Sequence, residues 1–210
     1  TTTGQTLTAI GYQALTANTS GSSNVSIGHT SLLSNTTGNN NVAIGRGANA
    51  YNTTGGASVA VGYLAMLGVN GSTVSTDNVA IGSQSLYSIT TGANNIAVGT
   101  QSLLYNTTAS NNTAVGYQAA YSVSTNPRLT AVGYQALYNN TGGYCEALGY
   151  QAGLAVTTGV NNIAIGRSSM AGASPVTGGY NIGVGVGTLA ALTSGTSNIA
   201  IGGDAQSSTT

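Results

Sequence analysis

A five-residue pattern runs through the chain: polar, branched, small, aliphatic, glycine, as in Asn112-Thr113-Ala114-Val115-Gly116. Its closing glycine recurs as Gly11, Gly28, Gly45, Gly62, Gly82, Gly99, Gly116, Gly133, Gly149, Gly166, Gly185 and Gly202. Most steps are 17 residues, with exceptions of 20 (to Gly82), 16 (to Gly149) and 19 (to Gly185). Twelve copies at such a period predict a solenoid rather than an ordinary globular domain.

Numbering each coil from the Asn112 column, position 4 is a large aliphatic every time, from Ile10 and Ile27 to Val184 and Ile201. Position 3 is small every time: Ser26, Gly183 and otherwise Ala, as in Ala43 and Ala114. Neighbouring residues of a strand point to opposite faces, so the two columns report different environments. Position 4 reads as the interior of each coil. Position 3 reads as a face where a neighbouring chain packs too closely for a larger side chain. Position 2 is mostly β-branched, as strands prefer. Its exceptions Thr8, Thr130 and Glu146 place it near an edge that water reaches. The position-5 glycine marks a corner needing positive φ or close backbone approach.

After the corner comes a second short apolar segment, as in Gln13-Ala14-Leu15, Gln101-Ser102-Leu103 and Gln135-Ala136-Leu137. Each coil closes through an Asn-Thr-Thr-Gly type turn, such as Asn35-Thr36-Thr37-Gly38, whose residues bond their own backbone or tolerate left-handed geometry. The extra residues around Val69–Thr76 and Gly172–Thr177 fall in this turn, as do Pro127 and Pro175, away from the ladder they would interrupt. Two short strands and two turns per coil predict an all-β fold: a parallel β-solenoid, or flattened β-roll, of about twelve 17-residue coils. Residues 1–210 form one repeat domain, a segment or protomer of a longer fibre. At strand spacing the body is about 55–60 Å long. The start at Thr1-Thr2-Thr3 without Met reads as a mature or trimmed fragment. The ends show no cap, so flanking sequence or stacking on other molecules is expected to cover them. A thin roll without Phe or Trp buries a meagre core. Lateral association along the Ala-lined faces is the expected remedy, as a parallel homotrimer.

Composition narrows the partners. Only 3% of residues are charged and the net charge is zero, so no basic patch for nucleic acid can be built. No apolar run approaches the length of a membrane span. Hydration falls to Asn, Thr, Ser and Gly, a surface that suits an extracellular fibre at a cell or virion surface.

Asn41-Val42-Ala43-Ile44-Gly45 and its copies resemble the N-x-A-I-G repeats in the heads of trimeric autotransporter adhesins, which form left-handed parallel β-rolls. The longer unit Asn112-Thr113-Ala114-Val115-Gly116-Tyr117-Gln118-Ala119 is similar to repeats in bacteriophage tail fibres and large bacterial surface proteins. The resemblance implies trimerisation. The 17-residue period is longer than the usual head repeat, and the resemblance extends to no coiled-coil stalk, membrane anchor or tail-fibre chaperone domain.

Reactive groups are few and far apart. At one strand spacing per coil, Asp77 and Glu146 lie about 20 Å apart, whereas paired catalytic carboxylates sit about 5–9.5 Å apart. His29 and the lone Cys145 are separated by roughly 33 Å. No catalytic residue, metal site or cofactor is expected, and Gly183-Val184-Gly185-Val186-Gly187 lacks the Lys and setting of a nucleotide loop.

Position 6 is variable and reads as exposed. Tyr117, Tyr134 and Tyr150 on consecutive coils predict a ladder, either simply stabilising the stack or offering, beside Gln amides, an aromatic strip for sugar rings. Sequons at Asn18, Asn35, Asn52, Asn70, Asn106 and Asn139 are glycan acceptors in a secretory eukaryotic setting, or simply good turn sequence. The leading function is a non-enzymatic fibre, an adhesin head or phage tail-fibre shaft, whose partners are itself and a host-surface glycan or protein receptor. The alternatives are a self-assembling filament or matrix protein with end-to-end stacked protomers, and a polysaccharide- or ice-binding solenoid using rows such as Thr37, Thr54 and Thr91.

Overall fold

A computed structural model describes residues 6–69 and 75–207. It is an all-β parallel solenoid of about eleven turns, with no helix among the described residues. Each coil contributes one three-residue strand. These are β1 (Thr8–Ile10), β2 (Val25–Ile27), β3 (Val42–Ile44), β4 (Val59–Val61), β5 (Val79–Ile81) and β6 (Ile96–Val98). They continue as β7 (Thr113–Val115), β8 (Thr130–Val132), β9 (Glu146–Leu148), β10 (Ile163–Ile165), β11 (Ile182–Val184) and β12 (Ile199–Ile201). The strands pair in sequence order into one twelve-stranded parallel sheet, each residue opposite its counterpart in the next coil.

The second apolar segment is not a strand. Its residues at positions 7 and 9 adopt left-handed backbone, as at Gln101 (φ 59) and Leu103 (φ 49), so the segment bends where a strand would extend. Non-glycine residues rarely hold that conformation. Here inter-coil hydrogen bonds hold it: Gln101 N–H donates to Ser83 O in the coil before (2.9 Å), and Leu103 N–H to Ala119 O in the coil after (3.0 Å). The backbone is thus paired on both sides without being extended, which a propensity argument cannot see.

The strand faces are reversed from the sequence expectation. The position-3 column is the interior: Ala43, Ala60, Ala80, Ala97, Ala114, Ala131 and Ala164 are fully buried within the single chain. Position 4 points outward, with Ile44, Ile81, Leu148 and Ile165 all exposed. The roll is so thin that the strand meets the opposite wall of its own coil. Ser26 Oγ, on the strand, lies 2.6 Å from Ser31 Oγ on the second segment. A Cβ added at Gly183 would sit 2.8 Å from Ser169 Oγ and 2.9 Å from Thr188 Oγ1. Small residues are required by the chain's own far wall, not by a neighbouring chain. The bulk of the core comes instead from position 9, where Leu32, Met66, Leu86, Leu103, Leu137, Met170 and Leu189 are buried.

Position 1 carries the polar half of the interior. Asn24, Asn41, Asn78, Asn95 and Asn112 are fully buried, and Asn181 likewise. Within a coil Nδ2 crosses to the closing turn, as from Asn24 to Gly38 O (2.8 Å), Asn78 to Gly92 O (2.9 Å) and Asn95 to Ala109 O (2.9 Å). Between coils Oδ1 accepts from the next main chain, as from Asn41 N–H to Asn24 (2.9 Å), Asn95 N–H to Asn78 (2.9 Å) and Asn112 N–H to Asn95 (3.0 Å). One side chain therefore closes its own coil and pins the following one.

Gly116 shows why the corner is glycine. Its φ is 135°, and a Cβ there would lie 2.4 Å from Gly133 O in the next coil. Both reasons anticipated from sequence apply. The turn sequence also behaves as expected: Asn35 Nδ2 bonds Gly38 O (3.1 Å) and Thr36 Oγ1 bonds Thr53 O (3.0 Å). Part of the Val69–Thr76 insertion lies outside the described residues.

Two substitutions probe this interior. Ala97→Leu forces a large side chain against the opposite wall and is expected to destabilise by about 1–3 kcal/mol or more. Asn95→Ala strands the buried Asn112 N–H and is expected to cost about 1–3 kcal/mol. Urea unfolding followed by circular dichroism reads both; an unchanged midpoint for Ala97→Leu would show that position 3 is not interior.

Candidate functional site: an aliphatic sheet face with flanking ladders

Because positions 1, 3 and 5 turn inward or into the corner, positions 2 and 4 form the outer face of the sheet. Two residues from each of twelve strands project there, twenty-four in all. Position 4 is aliphatic throughout, and position 2 is aliphatic except at Thr8, Thr113, Thr130 and Glu146. Exposure is substantial: Ile44 38%, Ile96 42%, Leu148 53%. Neighbouring β-branched side chains shield one another along each row, leaving most other members half-buried. Soluble monomers rarely present an apolar surface continuous along the whole body, and such a patch marks an interaction site. Among these twenty-four positions Glu146 is the only ionisable group.

This face was misassigned from sequence, but a signal existed. Position 1 shares its side of the strand with position 3, and its departures from Asn include Leu7, Leu129 and Cys145. A polar column that accepts Leu and Cys faces inward. Leu129 and Cys145 are both buried.

The predicted tyrosine ladder exists. Tyr117 and Tyr134 stack with centroids 5.3 Å apart and planes 15° apart, and Tyr134 and Tyr150 at 5.1 Å and 7°. All three are exposed. Yet face-to-face stacking covers the ring faces that a sugar would need, and leaves edges and hydroxyls outward. The geometry favours the stabilising role. A second stack joins Tyr121 to Tyr138 (4.8 Å, 8°), with Tyr105 edge-on to Tyr121 at 5.1 Å. The hydrogen bond to Tyr105 is the main cause pushing the Tyr121 phenol up to about 12. Beside them runs a glutamine ladder, Gln84 through Gln101, Gln118, Gln135 and Gln151, each amide donating to the preceding one at 2.9–3.1 Å. Position 6 continues the stacking theme elsewhere: Tyr12 lies 5.2 Å from His29, and the Arg46 guanidinium sits 5.7 Å over the Tyr63 ring. In parallel in-register coils, whatever occupies one position meets its own kind one strand spacing away, so ladders follow from the repeat.

The sequons divide sharply. Asn35, Asn52 and Asn106 are fully buried and Asn18 nearly so, with Nδ2 of Asn18, Asn52 and Asn106 bonded to Gly21, Gly55 and Ala109 carbonyls. A glycan on these nitrogens is incompatible with this packing, which corrects the view of them as exposed loop acceptors. Asn139 is exposed, donating to Leu154 O at 2.9 Å, and so is Asn111 of the further sequon Asn111-Asn112-Thr113. Asn70 lies outside the described residues. The exposed hydroxyls of the turn belong instead to the second residue after the asparagine position, as at Thr37, Thr54, Thr91 and Thr108.

Asn49 and Cys145 are among the interior residues that depart from the pattern. Asn49 stands at position 9, where most coils have Leu or Met, with neither side-chain atom bonded. Cys145 takes the place of Asn at position 1, its thiol donating toward Gly143 O and Gly159 O at 3.3 Å. Among the described residues no three His, Cys, Asp or Glu side chains gather as a metal set. Likewise no helix there is long and apolar enough to cross a membrane. Comparisons with protein-family models, curated proteins and solved structures returned no match to this chain.

Burial pushes the Cys145 thiol above its ordinary 9.0. The folded chain then keeps this proton to higher pH than the unfolded chain does. Its contribution to stability is complete below pH 9 and is lost as pH rises above that value. Cys145→Ser should abolish this component. The difference in urea midpoint between the two chains is expected to shrink from pH 8 to pH 10, and a constant difference would contradict it.

Proposed function

We propose that this chain is a protomer of a non-enzymatic extracellular fibre, an adhesin head or tail-fibre shaft, in which a stiff β-roll presents a surface for attachment. The observation that carries this reading is the aliphatic face along the full twelve-stranded sheet. Its twenty-four outward residues match the 20–30 per side of a standard protein interface. A copy of the same chain offers the same rows at the same spacing, and the net charge of zero raises no barrier to self-association. The resemblance to trimeric adhesin heads favours three copies arranged in parallel.

In that arrangement the aliphatic face, and not the alanine column, is the contact. The polar turn and the tyrosine and glutamine ladders remain outward, where a host-surface glycan or protein receptor would meet Thr, Asn, Gln and Tyr side chains. Few titratable groups are available to converge on a substrate, which supports a binding rather than a catalytic role.

Analytical ultracentrifugation tests the core of the proposal. The expected species has about three times the 20.5 kDa chain mass. The outward pair Val98→Glu with Val115→Glu is expected to yield folded monomer by introducing unpaired charge into the contact. A wild-type chain that sediments as a monomer at every concentration overturns the reading. Electron microscopy of the same sample separates discrete rods from continuous filaments.

A further inference from the structure

The aliphatic face is almost perfectly periodic, and periodicity creates a difficulty for association. Two copies displaced by one coil would set branched aliphatics against branched aliphatics nearly as well as two copies in register. A pattern that repeats every strand leaves register weakly specified. Something aperiodic must select one alignment.

Apart from Thr8 on the terminal strand β1, the departures on this face fall at position 2 of three consecutive strands. Thr113, Thr130 and Glu146 are direct partners across β7, β8 and β9. Ile96 precedes them on β6 and Ile163 follows on β10. The face is also dented there, with a shallow depression lined by Thr130, Val132, Glu146, Leu148 and Ile165. Composition and shape thus change at the same height.

We infer that the Thr113–Thr130–Glu146 band sets the axial register and parallel direction in which copies of this chain associate, resting on the reading that they associate through this face. In register, the bands lie at one height, where threonine hydroxyls and water in the depression solvate the carboxylates and offset the repulsion between them. Displaced by one coil in one direction, Glu146 of one copy meets Ile163 of the next. Arranged antiparallel, β9 lies opposite β4, and Glu146 meets Val59 and Val61. An ionised carboxylate buried against aliphatic side chains without a partner is strongly unfavourable. The remaining face does not discriminate, so the band acts by penalising wrong alignments, as a single polar core position does in a coiled coil.

Disulfide mapping in a Cys145→Ser background tests this, with single cysteines at Val42 on β3 or Val59 on β4. Ser is already found at the Cys145 column, at Ser58. In chains carrying the band, Val42→Cys is expected to cross-link to itself at least about fivefold more than to Val59→Cys. In E146V that preference is expected to fall to about one, with the sedimenting mass unchanged.

A second chain, E146V with I163E, moves the carboxylate up one coil. Mixed with the parent, its Val59→Cys should now cross-link preferentially to the parent's Val42→Cys. Unchanged selectivity in E146V, or same-position cross-linking in the mixture, overturns the register role while leaving association intact. A parent chain that stays monomeric refutes the association itself.

Discussion

Everything in this roll depends on buried asparagine amides bonding main chain across a space too narrow for large side chains. A 17-residue coil with one three-residue strand leaves most of its backbone outside regular sheet. The position-1 amide addresses two of the resulting needs at once. Its Nδ2 reaches the carbonyl of the turn that closes the coil, and its Oδ1 receives the N–H of the coil stacked next. Buried polar groups are tolerated only when bonded, and a ladder of such groups is cooperative along the stack. Where the pattern breaks, the interior shows it: Asn112 Nδ2 lacks a partner in the coil whose turn carries Asn126-Pro127.

The same thinness decides where the aliphatic residues go. With the opposite wall at van der Waals distance from position 3, only Ala, Ser or Gly fits inside the strand. The bulky β-branched residues that favour strand geometry are left on the other face. The strand therefore turns small residues to the core and its branched aliphatics outward, the reverse of an ordinary half-buried strand. Such a face is removed from water only when something covers it.

Stacking like on like explains the remaining surface. Glutamine amides chain together at position 7, tyrosine rings stack at position 6, and turn threonines bond the coil below, all at one strand spacing. These rows stiffen the roll and offset the repeated left-handed backbone at positions 7 and 9. They also cover the faces of the tyrosine rings, so the exposed aromatic strip turns edges and hydroxyls outward.

The solenoid, its parallel strands, the glycine corners and the Asn-Thr-Thr-Gly turns were legible in the chain, because each is a local demand repeated at a fixed period. Gly116 needs its φ and its clearance whatever surrounds it, and Asn35 closes its turn from three residues away. Which face of the strand is interior was not local. Alternation says that Ala114 and Val115 point apart, but not which way, and hydrophobicity alone favoured the wrong answer. Only the distance between the two walls, a property of the closed coil, put Ala114 inside and Val115 out. The bent second segment and the burial of Asn35, Asn52 and Asn106 have the same origin, since neighbouring coils supply the hydrogen-bond partners that make them possible.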